Sequence, residues 1–425
     1  MSKMDWFNEQ RFGMFIHWGI YAIPARGEWV RSNERITIEA YEKYFNEFNP
    51  TDYDPKAWAK VAKQAGMKYA VMTAKHHDGF CMYDSKLTDY KCTNTKAGRD
   101  LIKEYVDAFR AEGIRIGFYY SIIDWHHPDY PAYGDDIHPM RNNESFKDKE
   151  HNFDNYLKYM HGQVEELCKN YGKIDIFWFD FSYGDYRGEK WKATELMRMI
   201  RSHLPDVIID NRLEGSGDHL GSLVKGERTE YAGDFVSPEQ IIPIEPIKND
   251  NGDYIPWESC ITMNDHWAYH AHDKNFKPAN MLIKSLVECV SKGGNLLLNV
   301  GPDAKGNIPK ESLEILEKIG KWMSKNSESI YGCTFSELPK PQYGRITKKG
   351  NILYYHVMER QIGGTPLIGI DIKDIKRAWY VATGAEIRPS TAWFLRSYPN
   401  TAFIDFGGKA ELPDPVDTVI GVELV

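Results

Sequence analysis

The chain has 425 residues, 42% of them hydrophobic, and a formal net charge of −8. This length corresponds to about two or three domains with a sizeable core, and the acidic balance argues against nucleic acids and anionic membrane surfaces as partners. The sequence has no apolar run of about 18 residues that would predict a membrane span, and residues 1–6 lack the apolar segment of a signal peptide, so we expect a cytoplasmic protein.

Apolar runs of strand length alternate with amphipathic helical patterns over most of the chain. The predicted strands cover residues 12–19, 69–77, 114–121, 174–180, 207–212 and 295–302. The predicted helices cover residues 55–65, 99–112, 153–171, 189–203, 278–292 and 310–327. This alternation indicates a parallel sheet. A (β/α)8-like TIM barrel fits better than a doubly wound sheet, because no G-x-G-x-x-G follows the first strand.

The pattern changes after about residue 335 to short strands of alternating hydrophobicity. These strands cover residues 352–357, 367–370, 378–381, 402–406 and 419–424, and Gly, Pro and Lys turns separate them. Such a pattern predicts a small β-sandwich. We therefore expect a (β/α)8-like catalytic domain over residues 1–334 and a C-terminal β-sandwich domain over residues 335–425.

Polar or ionisable side chains stand at the ends of the predicted barrel strands. They are His17, His76-His77-Asp78, Tyr119-Tyr120-Ser121, Asp180 and Asn211-Arg212. A barrel brings these strand ends into one cleft, where barrel enzymes carry out their chemistry, and an arginine keeps a nearby carboxylate ionised. Glycoside hydrolysis would require a second carboxylate. The downstream candidates are Glu227, Glu230, Glu239, Glu245 and Glu258.

Eight segments carry a resemblance to a known family. They are RFGMFIHWG at 11–19, GEWV at 27–30, KHHDGF at 75–80, FYYS at 118–121, WFD at 178–180, WESC at 257–260, DHWAY at 265–269 and GGNLLLNVGP at 293–302. In content and order they resemble the α-L-fucosidases of glycoside hydrolase family 29. The resemblance implies a (β/α)8-like barrel followed by a β-sandwich. It also implies a retaining exo-α-L-fucosidase that acts on fucosylated oligosaccharides or glycoconjugates.

The resemblance also implies roles for individual residues. Asp180 matches the family's nucleophile. The residues that match the fucose pocket are His17, Glu28, Trp29, His76, His77, Tyr120 and Arg212, and Phe15 and Trp267 match aromatic residues that pack on the sugar and its C6 methyl group. Tyr119 is the alternative to Tyr120, because the register of the tyrosine pair is open by one residue. The family usually has Asn-Asp-Arg where this chain has Asp210-Asn211-Arg212, so the roles of residues 210 and 211 stay open.

The general acid/base is the second residue that the mechanism needs. The segment GDFVSPE at 233–239 resembles the family pattern that carries it, which indicates Glu239, with Glu230 and Glu258 as the alternatives. In the implied mechanism Asp180 attacks the anomeric carbon while Glu239 protonates the leaving oxygen, and Glu239 then deprotonates the incoming water. This chemistry requires no metal and no cofactor.

Two other functions compete with this interpretation. His76 and Asp78 have the H-x-D spacing of a 2-His-1-carboxylate iron site, to which His126-His127 would add ligands. Adjacent histidines on a strand should point to opposite faces, which argues against a shared metal ion. A non-catalytic carbohydrate-binding protein is the other alternative, and the presence of both Asp180 and Glu239 argues against it. The motifs specify neither the linkage that is cleaved nor the oligomeric state, and a homo-oligomer is compatible with them.

Overall fold

A curled sheet of seven parallel strands occupies the first part of the chain in the computed structural model, which describes residues 3–215, 220–407 and 409–425. The strands are β1 (Phe12–Ile16), β2 (Tyr69–Lys75), β3 (Arg115–Ser121), β4 (Ile176–Asp180), β5 (Ile208–Ile209), β6 (Glu258–Thr262) and β7 (Asn295–Val300). Their order is β5-β4-β3-β2-β1-β7-β6. All residues of β1, β2, β6 and β7 are buried, as expected for a parallel sheet that is covered on both faces.

Helices follow most of these strands. They are α1 (Asp5–Gln10), α2 (Val30–Asn33), α3 (Ile38–Glu47), α4 (Pro55–Gln64), α5 (Leu101–Ala111), α6 (Phe153–Asn170), α7 (Ala193–His203), α8 (Ala279–Val290) and α9 (Lys310–Asn326). The side chain of Asp54 caps α4 by accepting from the backbone N–H groups of residues 56 and 57, as an N-cap followed by proline predicts. Within the ranges given above, every helix is too short or too polar to span a bilayer.

An irregular segment, residues 235–239, fills the gap between β5 and β6. It forms isolated parallel bridges to Asp210 on one side and to Trp257 and Cys260 on the other. Backbone hydrogen bonds from the N–H groups of Glu258 and Cys260 to residues 236 and 238 hold it in place. The predicted (β/α)8-like barrel is therefore confirmed, with this segment in the position of one regular strand.

The C-terminal part of the chain is antiparallel. Its strands are β8 (Thr334–Phe335), β9 (Gly344–Lys349), β10 (Ile352–Val357), β11 (Thr365–Ile368), β12 (Ile375–Tyr380), β13 (Thr401–Ile404) and β14 (Thr418–Leu424). One sheet has the order β12-β14-β10-β9-β8, and β11 pairs with β13. Buried side chains such as Tyr355, Leu367 and Ile420 form a core of their own. The predicted C-terminal β-sandwich is confirmed, and the division of the chain at residue 334 stays a prediction.

Candidate active site

A cavity of ≈ 400 Å³ lies at the C-terminal end of the barrel strands. Its lining residues are Phe15, His17, Glu28, Trp29, His76, His77, Tyr119, Trp178, Asp180, Phe181, Ser182, Tyr183, Arg187, Arg212, Glu239 and Trp267. The structure thus brings together every residue that the sequence predicted for the site, with the exception of Tyr120. This is the end of the barrel at which catalytic groups are found.

Two carboxylates share one arginine in this cavity. Asp180 is the last residue of β4, and its Oδ1 accepts from Nη1 of Arg212 at 3.1 Å. The same Nη1 donates to Oε2 of Glu239 at 3.0 Å. Two atoms that both contact one nitrogen at these distances are at most about 6 Å apart, which is closer than the roughly 6.5–9.5 Å between the carboxyl groups of inverting glycosidases. This upper limit agrees with the closer pair of a retaining enzyme, whose carboxyl groups are about 5–5.5 Å apart.

Arg212 is held rigidly between the carboxylates and the segment that carries Glu239. Its Nε donates to Oγ of Ser237 at 2.9 Å and its Nη2 to the Ser237 carbonyl at 3.1 Å. The guanidinium lies over the ring of Trp178, 4.6 Å from the centroid. Oδ1 of Asn211 accepts from the N–H and the hydroxyl of Ser237. The open role of residue 211 is therefore structural, since it holds the segment that carries Glu239.

Asp180 has an unusual protonation equilibrium for an aspartate. Burial, together with the nearby carboxylate of Glu239, raises its pKa to about 6 against the charge of Arg212. The hydroxyl of Tyr119, which donates to Oδ2 at 2.8 Å, favours the ionised form. Burial disfavours the charge of Arg212, but the two carboxylates outweigh it and raise the pKa of this arginine. The cavity therefore contains a cation that stays charged and an aspartate that can titrate near neutral pH.

Tyr120 lies outside the cavity, so its predicted place in the pocket is wrong. Its hydroxyl donates to Oε1 of Gln163 on α6 at 2.7 Å, on the outer face of the sheet. Neighbouring residues of a strand point to opposite faces, so on β3 only Tyr119 faces the barrel interior. The structure places Tyr119, the alternative named from the sequence, in the cavity.

The three histidines of the cavity are neutral. Burial lowers the pKa of His17 to about 3 and places the pKa values of His76 and His77 well below the ordinary range. The rings of His76 and His77 both line the cavity, with centroids 4.0 Å apart. The argument that they point to opposite faces is wrong, because β2 ends at Lys75 and the alternation of a strand does not extend past its end.

The H-x-D spacing does not produce a metal site. Asp78 turns away from the histidines, since its carboxylate accepts from the hydroxyl of Tyr41 and from the N–H of Phe80, both at 3.1 Å. Among residues 3–215, 220–407 and 409–425, no group of three or more His, Cys, Asp or Glu side chains is arranged to hold a metal ion. Neutral imidazoles in a cavity of this kind can instead exchange hydrogen bonds with hydroxyl groups.

Aromatic rings form the remaining walls. Phe15 lies 5.8 Å from Trp267, and Trp29 lies 5.2 Å from Phe181, measured between ring centroids. Such rings suit the apolar face and the methyl group of a deoxy sugar. Phe181 was not predicted, although it directly follows Asp180. It has a φ of 84°, a left-handed conformation that is uncommon for a phenylalanine. Trp178, Ser182, Tyr183 and Arg187 also line the cavity and were not predicted.

The alternative acid/base candidates lie elsewhere. Glu230 forms an ion pair with Arg198 on the surface at 2.5 Å. Glu258 is fully buried at the start of β6, where its Oε2 accepts from the hydroxyl of Tyr69 and burial raises its pKa to about 7. Glu227 and Glu245 are exposed and do not line the cavity. Of the five glutamates considered from the sequence, only Glu239 faces Asp180.

A carboxylate pair on one arginine, set among neutral histidines and aromatic walls at the end of a barrel, defines a site of the retaining glycoside hydrolase class. The family model described as α-L-fucosidase matches residues 1–328, and the chain belongs to this family. It is 29% identical over 360 residues to the α-L-fucosidase of Dictyostelium discoideum, covering 77% of this chain and 71% of that protein. It is 28% identical over 349 residues to human plasma α-L-fucosidase, covering 77% of this chain and 68% of that protein.

Solved structures agree with this assignment. The chain is similar to α-L-fucosidase isoenzyme 1 from Paenibacillus thiaminolyticus, with 60% identity, a TM-score of 0.96 and coverage of 100% of this chain and 99% of that chain. It is also similar to a GH29 α-L-fucosidase from Bacteroides thetaiotaomicron, described as a trapped covalent intermediate, with 29% identity, a TM-score of 0.83 and coverage of 100% and 96%. The predicted family and the predicted enzyme class, a retaining glycoside hydrolase of the α-L-fucosidase type, are confirmed.

Proposed function

We propose that this chain removes terminal α-L-fucosyl residues from fucosylated oligosaccharides or glycoconjugates, with Asp180 as nucleophile and Glu239 as general acid/base. The observation that carries the proposal is the single Arg212 nitrogen that contacts both carboxylates, at 3.1 and 3.0 Å. This contact brings the two carboxylates together on one cation, as a covalent, two-step hydrolysis requires.

In the first step Asp180 attacks the anomeric carbon and the glycosidic C–O bond breaks. Protonated Glu239 gives its proton to the leaving oxygen, so the alcohol departs neutral and a fucosyl ester of Asp180 remains. The ester formation removes the charge of Asp180, and Arg212 then faces the new carboxylate of Glu239. In the second step this carboxylate takes a proton from water as the water attacks the anomeric carbon, and Asp180 leaves as a carboxylate.

The asymmetry between the two carboxyl groups supports these roles. The side chain of Asp180 is 13% exposed, at the floor of the cavity, whereas that of Glu239 is 34% exposed, nearer the opening. A nucleophile has to reach the carbon of a bound sugar, while an acid/base has to reach both the leaving group and an incoming water. The accessible position of Glu239 meets the second requirement.

The fucosyl group would be held by the neutral histidines, Glu28 and the aromatic walls. Oε2 of Glu28 accepts from the N–H of Ala268 at 2.9 Å. This hydrogen bond fixes the orientation of the carboxyl group, whose other oxygen would bind a sugar hydroxyl. Burial raises the pKa of Glu28. Trp29 and Trp267 both line the cavity and would pack on the sugar.

Retention of configuration tests the proposed function directly. Hydrolysis of an α-L-fucoside through a β-linked ester of Asp180 releases the α anomer of L-fucose first. NMR spectra recorded within the first minutes of the reaction, before mutarotation, distinguish the two anomers. First release of β-L-fucose would mean a single displacement by water and would contradict a nucleophilic role for Asp180.

The activity is expected to fall at acidic pH around the pKa of Asp180. The nucleophile reacts as a carboxylate, and burial places its pKa at about 6. As the pH falls below this value Asp180 becomes protonated, and kcat/KM should fall by about tenfold per pH unit. The measurement is kcat/KM for an aryl fucoside between about pH 4 and 8. An acidic limb at about pH 4, where an ordinary carboxyl ionises, would contradict the role of burial.

The two neighbouring tyrosines of β3 form a matched pair for mutation. Tyr119→Phe removes a hydrogen bond that favours ionised Asp180, so the acidic limb should move to higher pH and kcat/KM should fall by about tenfold or more. Tyr120→Phe removes a contact with Gln163 and should lower the free energy of unfolding by about 1 kcal/mol, with the pH profile unchanged. An unchanged profile in the first variant, or a shifted one in the second, would reverse the assignment of the pair.

The cytoplasmic location and a homo-oligomeric state stay predictions from the sequence. The cleaved linkage depends on groups outside the fucosyl pocket, and a panel of fucosylated oligosaccharides with different linkages would identify it.

A further inference from the structure

Asn299, in β7, joins two parts of the pocket through its side-chain amide. Its Oδ1 lies 2.7 Å from Nδ1 of His17, and its Nδ2 donates to the carbonyl oxygen of Trp267 at 2.6 Å. The residue is buried, with 2% exposure. Both partners line the cavity, whereas Asn299 itself stands behind them and has no role in the mechanism derived above.

The two hydrogen bonds determine where the proton of His17 resides. A backbone carbonyl can only accept, so the atom of Asn299 that faces Trp267 has to be the amide nitrogen. The atom that faces His17 is then the amide oxygen, which also only accepts, so Nδ1 of His17 carries the hydrogen. Because burial keeps this imidazole neutral, its Nε2 has no hydrogen and is a hydrogen-bond acceptor.

The same amide holds the loop that carries Trp267. The next residue, Ala268, donates its N–H to Glu28 at 2.9 Å. A Cβ atom on Gly301 would lie 2.7 Å from the carbonyl oxygen of Trp267, so the loop packs directly on the end of β7. The ring of Trp267 in turn lies 5.1 Å from that of His17. One amide therefore connects His17, Trp267 and, through the adjacent peptide, Glu28.

We propose that Asn299 is a positioning residue that fixes His17 as the Nδ1–H tautomer, so that Nε2 accepts a hydrogen bond from a sugar hydroxyl, and that seats Trp267 against the same sugar. The amide offers the required acceptor and donor on two neighbouring atoms, one aimed at each partner. The proposal rests on the proposed function only for the identity of the sugar, since the tautomer is a property of the free protein.

The tautomer can be measured without substrate. The protein is labelled with ¹⁵N-histidine, and the ring nitrogen signals of His17 are identified by their loss in His17→Gln. We expect protonated Nδ1 and unprotonated Nε2 across the pH range of activity. A hydrogen on Nε2, or a mixture of tautomers, in the unmodified protein would overturn the proposal.

Two variants separate the two bonds. Asn299→Leu removes both, so His17 should show both tautomers, and kcat/KM should fall by about 10- to 100-fold, mainly through KM, as for a lost buried hydrogen bond to substrate. Asn299→Asp keeps an acceptor for Nδ1–H, but its charge favours the imidazolium. In this variant Nε2 should gain a hydrogen at a higher pH than in the unmodified protein, and activity should be lost over the same pH interval.

Asn295→Asp is the matched control, because Asn295 is the other buried asparagine of β7. It lies at the opposite end of the strand, where it donates to the carbonyl of Phe7 and accepts from Arg11. This variant should change stability without altering the His17 tautomer or KM. Unchanged His17 signals and unchanged KM in Asn299→Leu would overturn the positioning role. A chain that releases no fucose but shows the Nδ1–H tautomer would refute the proposed function and leave the positioning inference supported.

Discussion

Asp180→Ala is expected to lower kcat/KM on fucosides by at least about a thousandfold, because the covalent route is lost with the nucleophile. The loss should be in the chemical step. The fold should survive, since Arg212 keeps Glu239 as a partner at 3.0 Å and its contacts with Ser237. The melting temperature and the circular dichroism spectrum check this point, and kcat/KM on an aryl fucoside measures the loss.

Azide should restore part of the activity of this variant. The shortened side chain leaves a space beside Arg212 in which a small anion can bind and attack the anomeric carbon. The attack comes from the face that Asp180 occupied, so the product is β-fucosyl azide. Asp180→Asn is the matched control: it is equally unable to form the ester, but it leaves no space, so azide should not rescue it. Near-normal activity in Asp180→Ala, or equal rescue of both variants, would remove Asp180 from the mechanism.

The sequence predicted the nucleophile because a strand pattern ends at Asp180 and the family resemblance assigns that role to the same residue. The apolar run of residues 174–179 is typical of a buried parallel strand, and the polar ends of the other predicted strands favour a catalytic over a capping role for the carboxylate that ends it. The structure places β4 at Ile176–Asp180, next to β3, as the pattern predicts. The other strand ends were found in the same way, because a barrel collects them in one place.

The segment that carries Glu239 could not be predicted as part of the barrel. Residues 235–239 contain a proline and make only isolated bridges, so neither periodicity nor propensity marks them as a strand. Neighbouring β6 was missed for a related reason. It begins with Glu258 and Ser259, which are polar and yet fully buried. Only the resemblance to a family indicated Glu239, and only the structure shows how this glutamate reaches Asp180.

The two errors in side-chain direction have one cause. Within a strand, successive side chains point to opposite faces of the sheet. Beyond the end of the strand this rule no longer sets the direction of a side chain. Tyr119 and Tyr120 lie inside β3, where a shift of one residue exchanges the two faces of the sheet. His76 and His77 lie just past the end of β2, where the rule of alternation no longer applies. A sequence pattern does not fix the register or the end of a strand to the single residue, and both assignments needed that accuracy.

Arg212 contacts both carboxylates, so a change in one of them alters the pKa of the other. The Glu239→Ala variant should therefore also show a change in its pH–rate profile. In the unmodified enzyme the charge of Glu239 contributes to the raised pKa of Asp180. The reactive form already has Glu239 protonated, so removal of this side chain acts on Asp180 by leaving Nη1 of Arg212 to Asp180 alone, which lowers the pKa of Asp180. The acidic limb of the kcat/KM profile should therefore move to lower pH in Glu239→Ala, opposite to the shift expected for Tyr119→Phe.

Glu239→Ala should be most damaging where the leaving group most needs a proton. On a fucosyl oligosaccharide, whose leaving group is a poor alkoxide, we expect a loss of about 10²–10⁴-fold in kcat/KM. On a nitrophenyl fucoside the first step needs little help and should be nearly unaffected. The second step lacks its base, so the fucosyl ester should accumulate and nitrophenol should be released in an initial burst. Stopped-flow absorbance with the aryl substrate and sugar analysis with the oligosaccharide measure the two effects.

Azide distinguishes this variant from Asp180→Ala by stereochemistry. In Glu239→Ala the ester on Asp180 still forms. Azide needs no base, so it attacks this ester from the opposite face and gives α-fucosyl azide. Asp180→Ala should instead give the β product. Glu230→Ala is the matched control, because Glu230 pairs with Arg198 on the surface and lies outside the cavity; it should behave like the unmodified enzyme on both substrates. If Glu239→Ala were equally unaffected, the acid/base would have to be another residue, although Asp180 and Arg212 would keep their roles. If it gave β-fucosyl azide, azide would be taking the place of the nucleophile, and the role of Asp180 would be contradicted as well.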